Sequence, residues 1–385
     1  MRKSYIILLL SVLALGCEAL EPEPEPERNV VLYYVATHDN GLSAYTEENL
    51  AELKAGYLPS RDDKINIFLA YYHLEDQSPI LSRFSRTAEN VFVEDTLMIY
   101  PGNTMMSTKS LEKSVLKQVL ADAEALYPAA TRSFIMSTHG AGFLPESMLA
   151  DTKFLGPDDD VYLDITDFAS ALGSYHYGVL IFDCCYMGCV EVAYQLRNVC
   201  DYMIGSLTEI MATGLTRSDI VEPLFTLEPE KAAVKVAELY MNHVRTEGEY
   251  SNAGTVGVVR SSGLDSLAKA CKSIYSDNRS SMGSISRDSI QHYSRQSVYN
   301  HMFDLDDYVS HILTAEDGTF DQDSYNSFRS ALNYAVIFED STPSFLGLPI
   351  DHHCGVSVYI KSSDDAAINS FYKTLDWNKA TNQVY

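Results

Sequence analysis

Two side chains capable of nucleophilic and acid–base chemistry stand where apolar segments of the chain end. His139 follows residues 133–137 (SFIMS), and Cys185 follows residues 179–182 (VLIF). A lone histidine or cysteine is more often structural than catalytic. The carboxyl ends of neighbouring parallel strands, however, line one crevice, so these two side chains are expected to meet there. An imidazole beside a thiol lowers the thiol pKa and holds the thiolate, which predicts Cys185 as a nucleophile with His139 as its partner.

A turn of small residues follows each of the two side chains. Gly140-Ala141-Gly142 comes after His139, and Gly188 comes shortly after Cys185. Because Gly140 has no side chain, a substrate carbonyl can approach its N–H group. This N–H and that of Cys185 are the expected oxyanion hole, which would stabilise negative charge on the carbonyl oxygen.

Short apolar strands alternate with helical segments along the chain. Such alternation is typical of a parallel sheet covered on both faces, with right-handed crossovers, so the predicted class is α/β and doubly wound. A late apolar run at residues 355–360 is expected to join the same sheet, and the serine-rich residues 279–295 are expected at the surface. Strands are predicted at residues 30–35, 65–71, 133–137, 179–182 and 202–206, edge strands at 80–84 and 91–92, and helices at 45–54, 110–126, 165–172 and 191–196.

The overall composition restricts the partners of the protein. The 385 residues are 46% hydrophobic, which is enough for a sizeable core, and the formal net charge is -25. An acidic surface repels phosphate backbones, which argues against nucleic-acid binding. It also repels anionic lipid, so attachment to a membrane needs a covalent or hydrophobic anchor.

Cys17 is the candidate for such an anchor. Arg2 and Lys3 precede an apolar run at residues 5–15, which is too short to span a bilayer, and Gly16 stands directly before the cysteine. This order resembles a bacterial lipoprotein signal. It implies that residues 1–17 are the signal peptide and lipobox, and that lipidated Cys17 holds an exported protein on a bacterial membrane, either the outer membrane or the cell surface. The alternative is an ordinary signal peptide with an incidental cysteine.

Residues 18–28 (EALEPEPEPER) alternate proline with acidic residues. Proline at every second position excludes a helix and favours a stiff, extended tether. The predicted organisation is therefore a signal over 1–17, a tether over 18–28 and one domain over 29–385.

The cysteine spacing does not suggest a disulfide framework. Three of the seven cysteines crowd into residues 184–189, which favours a catalytic role, with inert buried thiols as the alternative. His352-His353-Cys354 makes a poor chelate because adjacent strand residues point to opposite faces. No metal site is therefore predicted from these residues.

Residues 182–194 (FDCCYMGCVEVAY) resemble the signature of the clostripain family of cysteine peptidases. In that signature a strand leads into Asp, a small residue, the nucleophilic Cys, and a Glu-Val-Ala-Tyr helix. Position by position, the resemblance implies Cys185 as the nucleophile and Cys184 at the small-residue position. Residues 137–140 (STHG) resemble the histidine motif of the family, and the likeness extends from about residue 30 to residue 380.

This resemblance implies a caspase-like three-layer fold, with a mainly parallel central sheet and helices on both faces. It also implies hydrolysis of peptide bonds by a Cys/His dyad, so that the partner is a peptide or protein substrate. Family members cleave after arginine or lysine through a carboxylate-lined pocket, which implies that Asp183 faces a cationic side chain. Residues 207–214 depart from the acidic Pro-Gly loop of the family and carry only Glu209 as an acid. Whether Glu209 binds substrate, and whether the basic preference is kept, therefore stays open.

Peptidases of this group are often activated by cleavage between the two catalytic strands. Lys153 is the only lysine between Gly140 and Cys185, and that segment contains no arginine. It is therefore the expected autoprocessing site, with an ordinary surface lysine as the alternative. Some family members need calcium, and residues 158–160 (DDD) are a candidate, although the run lacks the alternating spacing of a dedicated calcium loop.

Two other functions stay open at this level. The altered segment at residues 207–214 favours a surface lipoprotein that keeps the fold but only binds peptides. The presence of both His139 and Cys185 argues against it. A cysteine hydrolase acting on non-peptide amides is the second alternative, because a dyad alone does not identify the acyl donor.

Overall fold

The protein is built around a large β-sheet, seen in a computed structural model that describes residues 27–38, 41–75, 77–101, 109–145, 161–215, 218–246, 252–295 and 301–385. Within these ranges the strands are β1 (Asn29–Val35), β2 (Asn66–Tyr72), β3 (Ile80–Arg86), β4 (Phe92–Ile99), β5 (Thr131–Ser137), β6 (Tyr177–Asp183), β7 (Cys200–Gly205), β8 (Thr255–Arg260), β9 (Phe303–Asp304), β10 (Val336–Ser341), β11 (Ser344–Phe345), β12 (Leu348–Pro349) and β13 (Ser357–Val358).

Nine of these described strands form the central sheet, in the order β10-β8-β7-β6-β5-β1-β2-β3-β4. Strands β7, β6, β5, β1 and β2 run parallel to one another. The two strands at each edge pair antiparallel with their neighbours. The parallel strands occupy the centre because they are apolar and almost completely buried on both faces. The predicted α/β class with a mainly parallel sheet is confirmed.

Helices cover both faces of this sheet. In the described residues they are α1 (Ser43–Ala55), α2 (Lys113–Leu126), α3 (Ile165–Leu172), α4 (Val190–Gln195), α5 (Val221–Thr226), α6 (Pro229–Thr246), α7 (Leu264–Asp277), α8 (Arg279–Met282), α9 (Leu305–Ile312), α10 (Gln322–Ala335), α11 (Ala366–Tyr372) and α12 (Asp376–Thr381).

Each face of the sheet has its own hydrophobic core, because alternate strand residues point in opposite directions. In β1, Leu32 and Tyr34 lie in one core, and Tyr33 and Val35 lie in the other. Helices α1, α5 and α6 cover the second core, and α2, α3, α4, α7, α9, α10, α11 and α12 contribute to the first. The two cores make the three layers that the sequence predicted.

Of two sequence predictions about the second half of the chain, one is wrong and the other holds for only part of its range. Residues 355–360 do not join the central sheet, because β13 pairs with β9 in a separate two-stranded sheet and β10 already pairs with β8. Within the predicted surface segment 279–295, residues 279–289 contain no buried side chain, whereas Ile290 and Tyr293 are buried in the first core. In both cases an apolar side chain is buried against helices and loops, which a strand pattern alone does not reveal.

The predicted organisation into signal, tether and domain begins in residues 1–26, which lie outside the described part of the chain. None of the helices in the described ranges has both the length and the apolar character needed to cross a membrane. Within the same ranges, no three His, Cys, Asp or Glu side chains lie close enough together to hold a metal ion.

Candidate active site

The candidate site lies where β5 and β6 end. The two strands are parallel neighbours, and their last residues, Ser137 and Asp183, form a pair across the sheet. The chain leaves both strands at the same level, which carries His139 and Cys185 to the same edge. Hydrogen bonds fix the residue before each of them. The Thr138 hydroxyl donates to the Ala36 carbonyl at 2.6 Å, and the Cys184 thiol donates to the Met136 carbonyl at 3.3 Å.

One cavity at this edge is lined by the proposed dyad and by both candidate substrate-binding carboxylates. Its volume is about 300 Å³. His139, Asp183, Cys185 and Glu209 all line it, so the structure brings together four residues that the sequence singled out. The other described residues in its wall are Tyr33, Val35, Thr37, Leu42, Tyr45, Thr46, Asn49, Ser137, Thr138, Cys184, Ile210, Met211, Ala212, Gly214 and Arg295.

The turn that carries Cys185 has an unusual backbone conformation. Tyr186, the next residue, has φ of 60°, a left-handed conformation that bulky residues rarely adopt. Its N–H donates to the Thr208 carbonyl at 2.9 Å, and the N–H of Gly188 donates to the Ser206 carbonyl at 2.7 Å. The segment that follows β7 therefore holds the turn in place and keeps Cys185 at the cavity wall.

The Cys185 thiol is half-buried and has a backbone partner. The N–H of Ile210 lies 3.3 Å from the sulfur, within hydrogen-bond distance. Burial raises the pKa of the Cys185 thiol to about 12, against the lowering effect of Ile210, while the charges of Glu209 and Asp183 raise it further. In this arrangement the thiol is protonated at neutral pH, so forming the thiolate requires a base.

Gly140 packs directly against the nucleophile. A Cβ atom at this position would lie 2.3 Å from the Cys185 carbonyl oxygen and 2.9 Å from the Cys185 nitrogen. Any side chain would therefore displace one of the two backbones. The absence of a side chain lets the two residues expected to form the oxyanion hole lie next to each other.

Asp183 lines the cavity but also has a structural contact. One carboxylate oxygen accepts a hydrogen bond from the Leu215 N–H at 2.6 Å, and the other accepts one from the Ser137 hydroxyl at 3.4 Å. Gly214, with φ of 73°, approaches so closely that a Cβ would lie 2.9 Å from the carboxylate. Asp183 thus holds the segment before Leu215 against the sheet while its charge faces the cavity.

Glu209 is paired with an arginine that the sequence analysis did not single out. The distance from Arg295 Nη2 to Glu209 Oε1 is 3.2 Å, and the Glu209 side chain is 21% exposed. The two residues are 86 positions apart in the chain. No local sequence motif predicts such a contact. Tyr293, two residues earlier, is buried in the core, and this burial holds the chain close to the cavity.

A second overlooked residue is Glu191, in the first turn of α4 just after the nucleophile turn. Its side chain is completely buried. It accepts hydrogen bonds from the Tyr359 N–H at 2.8 Å and the Tyr372 hydroxyl at 2.7 Å. Burial raises the pKa of this carboxyl to about 7, and these two hydrogen bonds oppose the rise. The sequence placed Glu191 in a family signature but gave it no role.

Three predicted features lie outside the described residues. These are the lipidation site Cys17, the autoprocessing site Lys153 and the calcium candidate at residues 158–160.

Comparison with known proteins agrees with this geometry. The family model of the clostripain family matches residues 33–383. A search of curated proteins gave no match. Among solved structures, the chain is similar to an inactive zymogen C11 protease from Parabacteroides distasonis, with 29% identity, a TM-score of 0.79, and coverage of 93% of this chain and 99% of the other.

A secreted C11 cysteine protease from Bacteroides thetaiotaomicron, solved with an irreversible peptide inhibitor, is similar at 27% identity and a TM-score of 0.77. The similarity covers 92% of this chain and 99% of that one. A further secreted protease from the same organism, with 21% identity and a TM-score of 0.74, shares the fold. With a sequence match over nearly its whole length and a caspase-like arrangement of strands around the cavity, the chain belongs to the clostripain family of cysteine peptidases.

Proposed function

We propose that this peptidase is an exported endopeptidase in which Cys185 is the nucleophile and His139 the general base. The observation that carries the proposal is the pairing of Ser137 with Asp183, because it leads both side chains into one cavity. Cys184 is the less suitable nucleophile, since its thiol is buried and donates to the Met136 carbonyl.

In the proposed reaction, His139 takes the thiol proton as the sulfur of Cys185 attacks the substrate carbonyl carbon. Because burial raises the pKa of the Cys185 thiol, a base has to remove the thiol proton, and His139 is the residue proposed for this role. The N–H groups of Gly140 and Cys185 would stabilise the tetrahedral oxyanion. His139 then gives the proton to the leaving amine, and water hydrolyses the thioester to release the second product and regenerate the thiol.

We infer that the cavity binds the side chain before the scissile bond. Asp183 and Glu209 contribute two carboxylates to its wall, which supports a preference for lysine or arginine there. The buried residues Tyr33 and Val35 and the partly exposed Leu42 would contact the apolar stem of such a side chain.

The proposal extends to processing and location. A similar structure is that of an inactive zymogen, which supports activation by cleavage, and Lys153 is the proposed site in this chain. Sequencing the new N-terminus after incubation should identify Phe154 in the wild type but not in Lys153→Ala or Cys185→Ala. An active enzyme that stays a single chain would contradict self-processing.

Another similar structure is of a secreted protease, which supports export. Lipidation at Cys17 is the proposed anchor, and a Cys17→Ser variant should leave the membrane fraction. Full retention of this variant in that fraction would contradict the anchor.

The direct test of the catalytic assignment is covalent labelling with a peptidyl acyloxymethyl ketone that ends in lysine. Mass spectrometry should locate the label on Cys185 in the wild type and in Cys184→Ala, and find none in Cys185→Ala. Reversible binding of the peptide without labelling would favour the alternative of a protein that only binds peptides. Labelling on Cys184 would move the nucleophile by one residue.

A further inference from the structure

The cavity already contains a cation. Of the described residues that line it, Arg295 alone carries a permanent positive charge. Its guanidinium is 3.2 Å from Glu209, and its side chain is 40% exposed, so it lies at the cavity mouth rather than in the core. Glu209, one of the carboxylates proposed to bind a basic substrate side chain, is therefore already paired with an arginine of the protein itself.

The backbone before Arg295 is firmly fixed. Tyr293 is fully buried, its hydroxyl donates to Asp304 at 2.8 Å, and its N–H donates to the Met302 carbonyl at 3.0 Å. Asp304 is itself buried and accepts a further hydrogen bond from the Asp307 N–H at 2.9 Å. Because this anchor holds the chain next to the cavity, only the Arg295 side chain loses freedom when it pairs with Glu209.

Glu209 retains capacity for a second partner. Among the described residues, its Oε2 atom is buried and has no hydrogen-bond partner. Burial raises the pKa of the Tyr186 hydroxyl, and the charge of Glu209 and a side-chain hydrogen bond with it raise this pKa further, so the carboxylate also contacts the residue after Cys185. A carboxylate that is only partly satisfied can still accept from a donor on the substrate.

We propose that Arg295 is a specificity-determining residue that competes with the substrate for Glu209. It neutralises one of the two cavity carboxylates, so the peptidase accepts a long neutral side chain with a terminal hydrogen-bond donor as well as a lysine or arginine. This inference rests on the proposed role of the cavity in binding the residue before the scissile bond. It adds that the preference for positive charge there is reduced by a residue of the chain itself.

The test compares two peptide substrates that differ only in arginine or citrulline before the scissile bond, because citrulline has nearly the same shape but no charge. Arg295→Met keeps much of the aliphatic stem and removes the cation. We expect it to raise the arginine-to-citrulline ratio of kcat/KM by up to about fivefold, the upper end of the range for a partly exposed ion pair. Arg279→Met, which alters a partly buried arginine that donates to the Asn382 carbonyl and does not line the cavity, is the matched control and should leave the ratio unchanged.

A second substitution shows whether the effect passes through Glu209. In the Arg295→Met background, Glu209→Gln should remove the gain in the ratio, which is the coupling that a double-mutant cycle measures. An equal ratio in wild type and Arg295→Met would overturn the inference. So would a loss of thermal stability in Arg295→Met with unchanged selectivity, which would make the ion pair purely structural.

A binding measurement separates this inference from the proposed catalysis. Calorimetry with the Cys185→Ala protein gives affinities for the arginine and citrulline peptides as uncleavable amides. Adding Arg295→Met should increase the preference for the arginine peptide by a similar factor. If the wild type cleaves neither peptide, the proposed function fails, but the affinities still decide the role of Arg295. An unchanged preference for the arginine peptide in the Arg295→Met variant would overturn the inference.

Discussion

Ser137 and Asp183 face each other at the ends of two parallel strands, and the serine hydroxyl donates to the aspartate at 3.4 Å. His139 and Cys185 each stand two positions beyond this pair. The register of one strand pair thus brings a histidine and a cysteine from distant parts of the sequence to the same cavity. It also places the Asp183 carboxylate between the sheet and the proposed specificity site.

Substitution of the proposed dyad should separate catalysis from folding. Cys185→Ala and His139→Ala are each expected to abolish turnover, because the first removes the nucleophile and the second removes its base. Cys184→Ala should keep substantial activity and lose about 1 kcal/mol of stability, since it removes a small buried side chain. Peptide cleavage assays and urea denaturation measure both effects. Loss of activity in Cys184→Ala but not in Cys185→Ala would shift the assignment by one residue.

Gly140→Ala should damage the site through its backbone. The new Cβ would collide with the Cys185 carbonyl, so the two N–H groups proposed as the oxyanion hole must separate. We expect kcat to fall by about 100-fold or more, the usual loss when one oxyanion donor is displaced. Gly41→Ala is the control, because a Cβ there meets nothing within 4 Å. Comparable activity in the two variants would argue against the proposed oxyanion hole.

Asp183→Asn isolates the charge of Asp183 from its structural role. The amide oxygen can still accept from the Leu215 N–H, so the segment before that residue should stay in place. The arginine-to-citrulline ratio of kcat/KM is expected to fall about tenfold, since a nearby carboxylate is lost from a partly desolvated cavity. Asp167→Asn, at an exposed partner of Lys113, should not change the ratio. A ratio that also stays constant in Asp183→Asn would remove this residue from specificity.

Glu191 predicts a dependence of stability on pH. Its pKa is about 7 in the folded protein against an ordinary value of 4.5. Between these two pH values, the folded protein keeps a proton on Glu191 that the unfolded chain has already released. The stabilising contribution is complete below pH 4.5 and is lost as the pH rises through about 7. Its full size is about 3 kcal/mol. Urea denaturation of the wild type and of Glu191→Gln measures the free energy of unfolding at pH 5 and at pH 7.5. Between these two pH values, that free energy should fall less in the variant than in the wild type. Equal declines would mean that Glu191 titrates normally.

The sequence predicted the central strands well because each is a short apolar run, and burial on both faces leaves few alternatives for such a run. It predicted His139 and Cys185 because strand ends at one sheet edge meet. The Glu209–Arg295 pair was not predictable, since two charges 86 residues apart leave no periodic signal. Residues 355–360 were assigned to the wrong sheet because an apolar run shows that a segment is buried and does not name its partner.

The contacts of Glu191 with Tyr359 and Tyr372 have a consequence for the order of folding. Gln383 Oε1 lies 3.0 Å from the Tyr372 hydroxyl and accepts a hydrogen bond from the Trp377 indole at 3.2 Å. The helix that follows the nucleophile turn, α4, is therefore supported by residues between Tyr359 and Gln383. A growing chain that already contains His139 and Cys185 still lacks this support. The support behind Cys185 is thus complete only after residues 359–383 have folded against α4.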